Sequence, residues 1–445
     1  MIVAARVHQS QEPMRIIQKS ESLSRLAFGS CNRAHMPQPL WGRISSERPQ
    51  VWLWAGDAVY VDLSDNGTWF TASEIEMENM YVKQKNLPEY AGFLAENPEM
   101  DVLGIYDDHD YGFNDVGKNF GSKEITKRSL LDFLDEDPES VRRHREGIYG
   151  VYSFGKDVNI FLIDGRWFRD DIDSVRYTGQ YLGEEQWKWL DFHLKNTAPK
   201  ARLNVIVSGV QVLANDRDLF LYPASAGVYH AEAWGLFAEE RSKLFELLSR
   251  HRVPGVVFLS GDIHFAELNK LACTNVGYDL WELTSSGLTH SWQTYETPIH
   301  RLLPKFISRT IQYLTFKTMY WIAPHRFSVK TSGLLNYGVL DIDWEHDRLT
   351  MRIEGLEGNL FSHNLTISTL RFDENYLSRC TQQQKKIASS SIRDLSRYSW
   401  RFRAYLVMSI VSGIVGMILW YTFRIVRYVW RISKKLNSRP KAKQL

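Results

Sequence analysis

Cysteine is scarce: three residues (Cys31, Cys273 and Cys380) in 445. So few cannot build a disulfide framework, and a reducing compartment is permitted. The N-terminal stretch lacks an apolar run of signal-peptide length and is polar from His8 onward, so no export signal is read there. Negative charge is missing from two places. Residues 424–445 carry eight Lys/Arg and no acid, which leaves the rest of the chain at −6. A nucleic-acid binder would spread its basic surface over the folded body, so that class is not expected. Residues 298–335 also lack Asp and Glu and carry six Lys/Arg among many aromatics. They read either as an insertion (291–335 at its widest) packing on the core or as a basic aromatic surface against anionic lipid. Charge of either sign is absent from residues 404–423. Twenty such residues at about 1.5 Å each match the roughly 30 Å hydrocarbon layer, so a transmembrane helix is expected there. The expected anchor is a single pass near the C-terminus with the body in the cytosol. Two sequons, at Asn66 and Asn364, point weakly the other way.

What is present is the composition of a globular protein, with 15 Trp, 21 Tyr and 22 Phe to fill a large core. Apolar runs alternate with helical stretches between residues 23 and 373. Strands are expected at 26–28, 51–54, 102–106, 158–163, 203–207 and 256–259, with later ones at 280–284, 338–342, 349–353 and 364–370. Helices are expected at 73–85, 184–194 and 233–248. In the second helix Trp187, Leu190 and Leu194 fall on one face. The alternation predicts an α/β fold with helices flanking the sheets. The expected division is an N-terminal tail (1–22), one large domain (23–373), a stalk (374–403), the span (404–423) and a basic tail (424–445).

Four of the expected strands end in polar clusters. They are Gly29-Ser30-Cys31, Gly56-Asp57-Ala58-Val59-Tyr60, Asp107-Asp108-His109-Asp110 and Gly261-Asp262-Ile263-His264. Ligands of open α/β sheets gather at the carboxyl ends of strands. One such cluster is usually a turn; four together point to metal. Several carboxylates pack together only if cations offset their repulsion. Thiolate, phenolate and imidazole suit a transition metal, and additional carboxylates suit a harder divalent ion. Paired metals support in-line displacement at phosphorus. His109, between acids, suits protonation of a leaving alkoxide, with Asp108 and Asp110 expected to keep its imidazole charged.

Taken in order, these clusters resemble the alkaline phosphatase D (PhoD-like) branch of the calcineurin-like metallophosphoesterases. Asp164-Gly165-Arg166, Leu182-Gly183-Glu184-Glu185-Gln186, Ser208-Gly209-Val210-Gln211 and Leu283-Thr284-Ser285-Ser286-Gly287-Leu288-Thr289 add to the likeness, which covers about residues 25–370. The resemblance implies a four-layer sandwich of two sheets flanked by helices. It implies that Cys31, Asp57, Tyr60 and His264 bind ferric iron. Asp57 would bridge to one or two divalent cations, calcium in the family, with Asp108, Asp262 and Asn114 nearby. His109 takes the catalytic histidine position. Arg166 either pairs with a phosphate oxygen or forms a buried ion pair with Asp164 or Asp170. The expected activity is hydrolysis of phosphoric esters, mono- or di-, by a metal-bound hydroxide attacking phosphorus. The alternative is a membrane-tethered binding or scaffold protein with a silent metal site.

Overall fold

The computed structural model of the chain describes residues 14–19, 21–171, 179–214, 217–221, 228–294, 302–322, 327–382, 384 and, towards the C-terminus, 406, 407, 409, 410, 413, 417 and 420–430. Two compact units divide the chain, Met1–Ile392 and Arg393–Leu445.

The first unit is built on two sheets. The six-stranded sheet runs in the order Gly358–Thr366, Arg348–Gly355, Tyr337–Asp343, Arg25–Gly29, Val51–Ala55, Asp101–Ile105. Its last three strands are parallel to one another, and the first three form an antiparallel meander. The eight-stranded sheet runs Ile17–Lys19, Gly150–Phe154, Val158–Leu162, Leu203–Ser208, Val256–Ser260, Leu280–Thr284, Ala266–Leu271, Ser328–Ser332. Strands 158–162, 203–208, 256–260 and 280–284 are parallel in this sheet. Parallel strands that are buried on both faces read as continuous apolar runs rather than alternating ones. Val51–Ala55 (VWLWA) and Val256–Ser260 (VVFLS) fit that description and are buried at every position.

The abundant aromatics serve this packing. Trp41 lies edge-on to Trp52 with ring centroids 5.1 Å apart and stacks on Phe93 at 5.1 Å. Trp54 meets Tyr90 at 5.6 Å and gives its indole N–H to the tyrosine hydroxyl at 3.2 Å. Each such pair adds roughly 0.5–1.5 kcal/mol beyond area burial. Together they pack the Trp52 and Trp54 side chains of strand 51–55 against Trp41, Tyr90 and Phe93. Flanking helices follow from local signals. Glu74–Lys85 is opened by a capping box of Ser73 and Glu76. Gly183–Asn196 buries Trp187, Leu190 and Leu194, the face expected from their spacing.

Three expectations are corrected. The α/β part of the expected architecture is present, but its membrane helix is not supported. Among the described residues no helix is long and apolar enough to cross a membrane. Half of the 404–423 segment lies outside the described residues, and the continuous described helix 420–430 carries Arg424 and Arg427 within it. An uncharged run in sequence is therefore not matched by an uncharged described helix of that length. The single-pass placement with a cytosolic body loses its support for the same reason. Second, Cys273 and Cys380 form a disulfide across a separation of 107 residues, with Cα atoms 6.0 Å apart. It joins the turn before strand 280–284 to the chain following Leu377–Arg379, in the segment expected to be stalk. Third, residues 17–19 of the expected N-terminal tail are a strand, paired in parallel with 152–154. The expected tail beyond residue 430 lies outside the described residues, as do 295–301 and 323–326 of the expected insertion. The described centre of that insertion is the helix Lys305–Ile322.

Candidate active site

The parallel strands of both sheets deliver their carboxyl ends to one place. Strand 25–29 leads to Cys31, strand 51–55 to Asp57 and Tyr60, and strand 101–105 to Asp107, Asp108 and His109. From the other sheet, strand 256–260 leads to Asp262 and His264, and strand 158–162 to Arg166. Cys31, Asp57, Asp262 and His264 all have positive φ, at 61°, 49°, 70° and 57°. Left-handed backbone costs a non-glycine residue about 1–3 kcal/mol and persists where surrounding structure enforces it, typically at functional sites. Close approach enforces it here. A Cβ on Gly261 would meet Ser30 Oγ at 2.4 Å and the Ala55 carbonyl at 2.7 Å. Only glycine lets the two sheet edges come this near.

Ligand-bearing atoms cluster in overlapping groups, each within 4.8 Å. They are Cys31, Asp57 and His264; Asp57, Asp108 and His109; Asp107, Asp108 and Asp262; and Asp108, Asp115 and Glu232. Asp57 belongs to two of these groups and Asp108 to three. The Cys31 thiol lies 3.5 Å from Asp57 Oδ2 and 2.9 Å from Ser286 Oγ. Tyr60 Oη lies 3.1 Å from His264 Nε2. Cys31, Asp57, Tyr60, Asp108, Asp262 and His264 thus lie together, while Asn114 is half-buried on the loop one residue before Asp115 and is in none of these groups.

The electrostatics are those of a site assembled around positive charge. Burial, then the neighbouring carboxylates Asp108 and Asp107, push Asp57 well above the usual carboxylate range, though His109 opposes them. Burial lifts Asp107 to about 7 and Asp115 to about 8. Burial also raises the Cys31 thiol and the Tyr60 phenol, with Asp57 adding to both. His264 is pushed down to about 3 by burial and Arg33, which leaves it neutral and able to ligate. Asp57 Oδ1 and Asp107 Oδ2 are buried without a hydrogen-bond partner. Orphaned buried oxygens are rare, and a carboxylate kept so is stabilised by a cation. The donor set and these orphan atoms therefore fit metal ions.

His109 is held differently from expectation. It sits in the four-residue helix Asp108–Tyr111, where Asp107 and Asp110 form the capping box. Asp110 is spent on that box and on the Val59 N–H, at 3.0 Å. The partner of the imidazole is instead Asp62, whose Oδ2 lies 2.9 Å from Nδ1. Burial alone would lower the imidazole, but Asp108, Asp57 and Asp62 outweigh it and raise it to about 10. With Nδ1 held, Nε2 is the nitrogen left for a substrate. The ring is in contact with both Tyr60 and Trp69, with centroids 4.1 and 5.1 Å away.

Arg166 is fully buried and its guanidinium is engaged by protein carboxylates. Its Nε donates to Asp107 Oδ1 at 2.6 Å, and its Nη2 pairs with Glu232. From Arg166 the expected partner Asp164 accepts the backbone N–H, at 2.9 Å, rather than the guanidinium. Asp170 pairs with Lys118 instead. Arg169 shares Glu232. From sequence, Asp107 was noted only as a member of its strand-end cluster, and Asp62, Asp115, Glu232 and His290 were not singled out. His290 Nε2 lies 3.2 Å from Tyr60 Oη, and the residue follows directly on the quoted Leu283–Thr289 motif. That adjacency was the available signal. Glu232 had none, since its role depends on two arginines more than 60 residues away.

A PhoD-like phosphatase model matches residues 125–353, just over half of the chain. The chain belongs to the PhoD-like phosphatase family. It is a phosphoric ester hydrolase by that membership. The matched span carries Arg166, Asp262 and His264, whereas Cys31, Asp57, Tyr60, Asp108, His109 and Asn114 precede it. No curated protein matches the chain. Among solved structures, PhoD is similar at 14% identity with a TM-score of 0.55, covering 79% of this chain and 70% of that one. That likeness concerns the fold. Weaker matches are GAP50, the anchor in the inner membrane complex of Plasmodium (10% identity, TM-score 0.43, 84% and 96% covered), and a putative 5'-nucleotidase from Staphylococcus aureus (12%, 0.31, 82% and 58%).

Proposed function

We propose that this phosphatase works with two kinds of metal ion held at the joint strand ends. Cys31, Asp57, Tyr60 and His264 would hold ferric iron; Asp57, Asp108 and Asp262, with Asn114 beside them, would hold divalent cations, calcium by family likeness. The observation that carries this reading is Asp57, a buried carboxylate common to two ligand groups and with one oxygen left unpartnered. When bound, such ions neutralise phosphate charge and lower the pKa of an attacking water.

The remaining work falls to side chains of the chain itself. His109 offers a proton from Nε2 to the departing alkoxide. Asp62 fixes the ring through Nδ1 and stabilises the imidazolium, and Tyr60 and Trp69 hold its plane. Arg166 and Arg169 hold Asp107 and Glu232, which keeps the acidic wall of the site from springing apart. Arg166 thereby acts as a positioning residue.

The test is hydrolysis of an aryl phosphate by purified protein before and after chelation. The reading expects activity to be lost on chelation and restored by ferric iron together with a divalent ion. Activity indifferent to chelation would overturn the metal assignment while leaving the hydrolase.

A further inference from the structure

Arg33 lies two residues after Cys31 and was not among the residues expected to act. Its backbone N–H donates to Thr289 Oγ1 at 2.9 Å, which fixes the turn leaving Cys31. Its guanidinium carbon stands 4.9 Å from the centroid of the Tyr60 ring and 5.9 Å from that of Trp69. These two rings are the ones that pack against His109. The cation therefore belongs to the same small cluster as the proposed proton donor and a proposed iron ligand. Its charge is felt there, since it helps lower both His264 and His290.

Its bonding differs from that of the other arginines near the site. Arg166 and Arg169 are spent on Asp107 and Glu232. Arg33 is only half-buried, and its Nε is buried without a hydrogen-bond partner. A buried N–H left without an acceptor costs free energy unless a ligand supplies one. Cation–π contact with two rings limits the side chain's freedom without using its N–H groups. What results is a preoriented, unspent guanidinium fork, whose geometry matches two oxygens of a phosphate.

We propose that Arg33 binds non-bridging oxygens of the phosphoryl group being transferred, and so favours dianionic monoesters over monoanionic diesters. This rests on the phosphoester reading of the same site. It gives Arg33 the contact that the sequence suggested for Arg166. A monoester presents two charges and three terminal oxygens to the fork. A diester presents one charge and two terminal oxygens.

The experiment measures kcat/KM of wild type, Arg33→Ala and Arg33→Lys on one aryl phosphate monoester and the matching diester. Inhibition by inorganic phosphate and metal content are measured in parallel. Losing charged hydrogen bonds predicts a fall of about 10–100-fold on the monoester for Arg33→Ala. The diester falls much less, phosphate inhibition weakens by a similar factor, and metal content is unchanged. Arg33→Lys recovers part of the loss, and added guanidinium ion rescues the alanine variant. Equal losses on both esters with phosphate inhibition intact would overturn the proposal. So would loss of metal, which would make Arg33 a prop for Tyr60. Wild type that holds its metals but hydrolyses neither ester would sink the reading of the site itself, and this proposal with it.

Discussion

Replacing Arg166 with methionine separates two roles for one buried charge. The side chain has no exposed surface and holds Asp107 through Nε at 2.6 Å while sharing Glu232 with Arg169. Methionine fills much of the volume but leaves Asp107 without its cation. Breaking a buried pair by removing one partner costs roughly 3–5 kcal/mol. The lower end is expected here, about 3 kcal/mol, because Glu232 retains Arg169. The deficit has a pH signature. Burial already lifts Asp107 to about 7 with Arg166 present, and without the guanidinium it rises further. A carboxyl whose folded pKa is raised contributes stability at low pH that is lost as pH rises through that pKa. Both proteins therefore carry a neutral Asp107 well below pH 7, and their stabilities converge there. The deficit grows between pH 6 and pH 8. Urea unfolding of both proteins at the two values measures it. An unchanged urea midpoint at pH 8, with turnover reduced, would refute the structural role and return Arg166 to the substrate.

Three further outcomes are expected. His109→Ala lowers turnover about 10²–10⁴-fold on an alkyl phosphate and much less on an activated aryl phosphate, with metals retained; equal losses on both would remove the general-acid role. Cys380→Ala, which opens a link across 107 residues, lowers unfolding free energy by about 2–4 kcal/mol, read from urea midpoints. His193, fully buried, has its imidazole pushed down to about 3 by burial, so the folded state needs it neutral. The stability this contributes is complete above about pH 6.5 and drains as pH falls towards 3, at up to about 1.4 kcal/mol per pH unit. His193→Phe should flatten that acid limb; an unchanged slope would contradict the assignment.

The site was legible where chemistry coincides with the end of an apolar run. Cys31, Asp57, Asp108, His109, Asp262 and His264 each follow a buried strand closely, so strand pattern and residue type point to one sheet edge. The strands themselves were legible because their parallel members are largely apolar, and Val51–Ala55 is apolar at every position. What pairs across the fold was not. Asp62 lies outside any cluster, and only the tertiary approach of its loop to the short helix 108–111 gives it to His109. The Cys273–Cys380 link joins residues whose meeting depends on Gly277 and Asp279 packing against Phe372 and Tyr376. Strand 17–19 has three residues and no apolar run, and exists through its pairing with 152–154. The span expected at 404–423 rested on an uncharged apolar run of bilayer length, and among the described residues no helix meets that length and apolarity.

The central claim is that Asp57 joins two cation sites, and bound metal per chain in wild type and Asp57→Asn tests it most directly. The substitution keeps shape and removes the charge that two ligand groups share. The account predicts that wild type holds iron and a divalent ion, and that Asp57→Asn loses both together with nearly all phosphatase activity, while urea unfolding still reports a folded protein. A folded Asp57→Asn protein that keeps its metals and its turnover would contradict it.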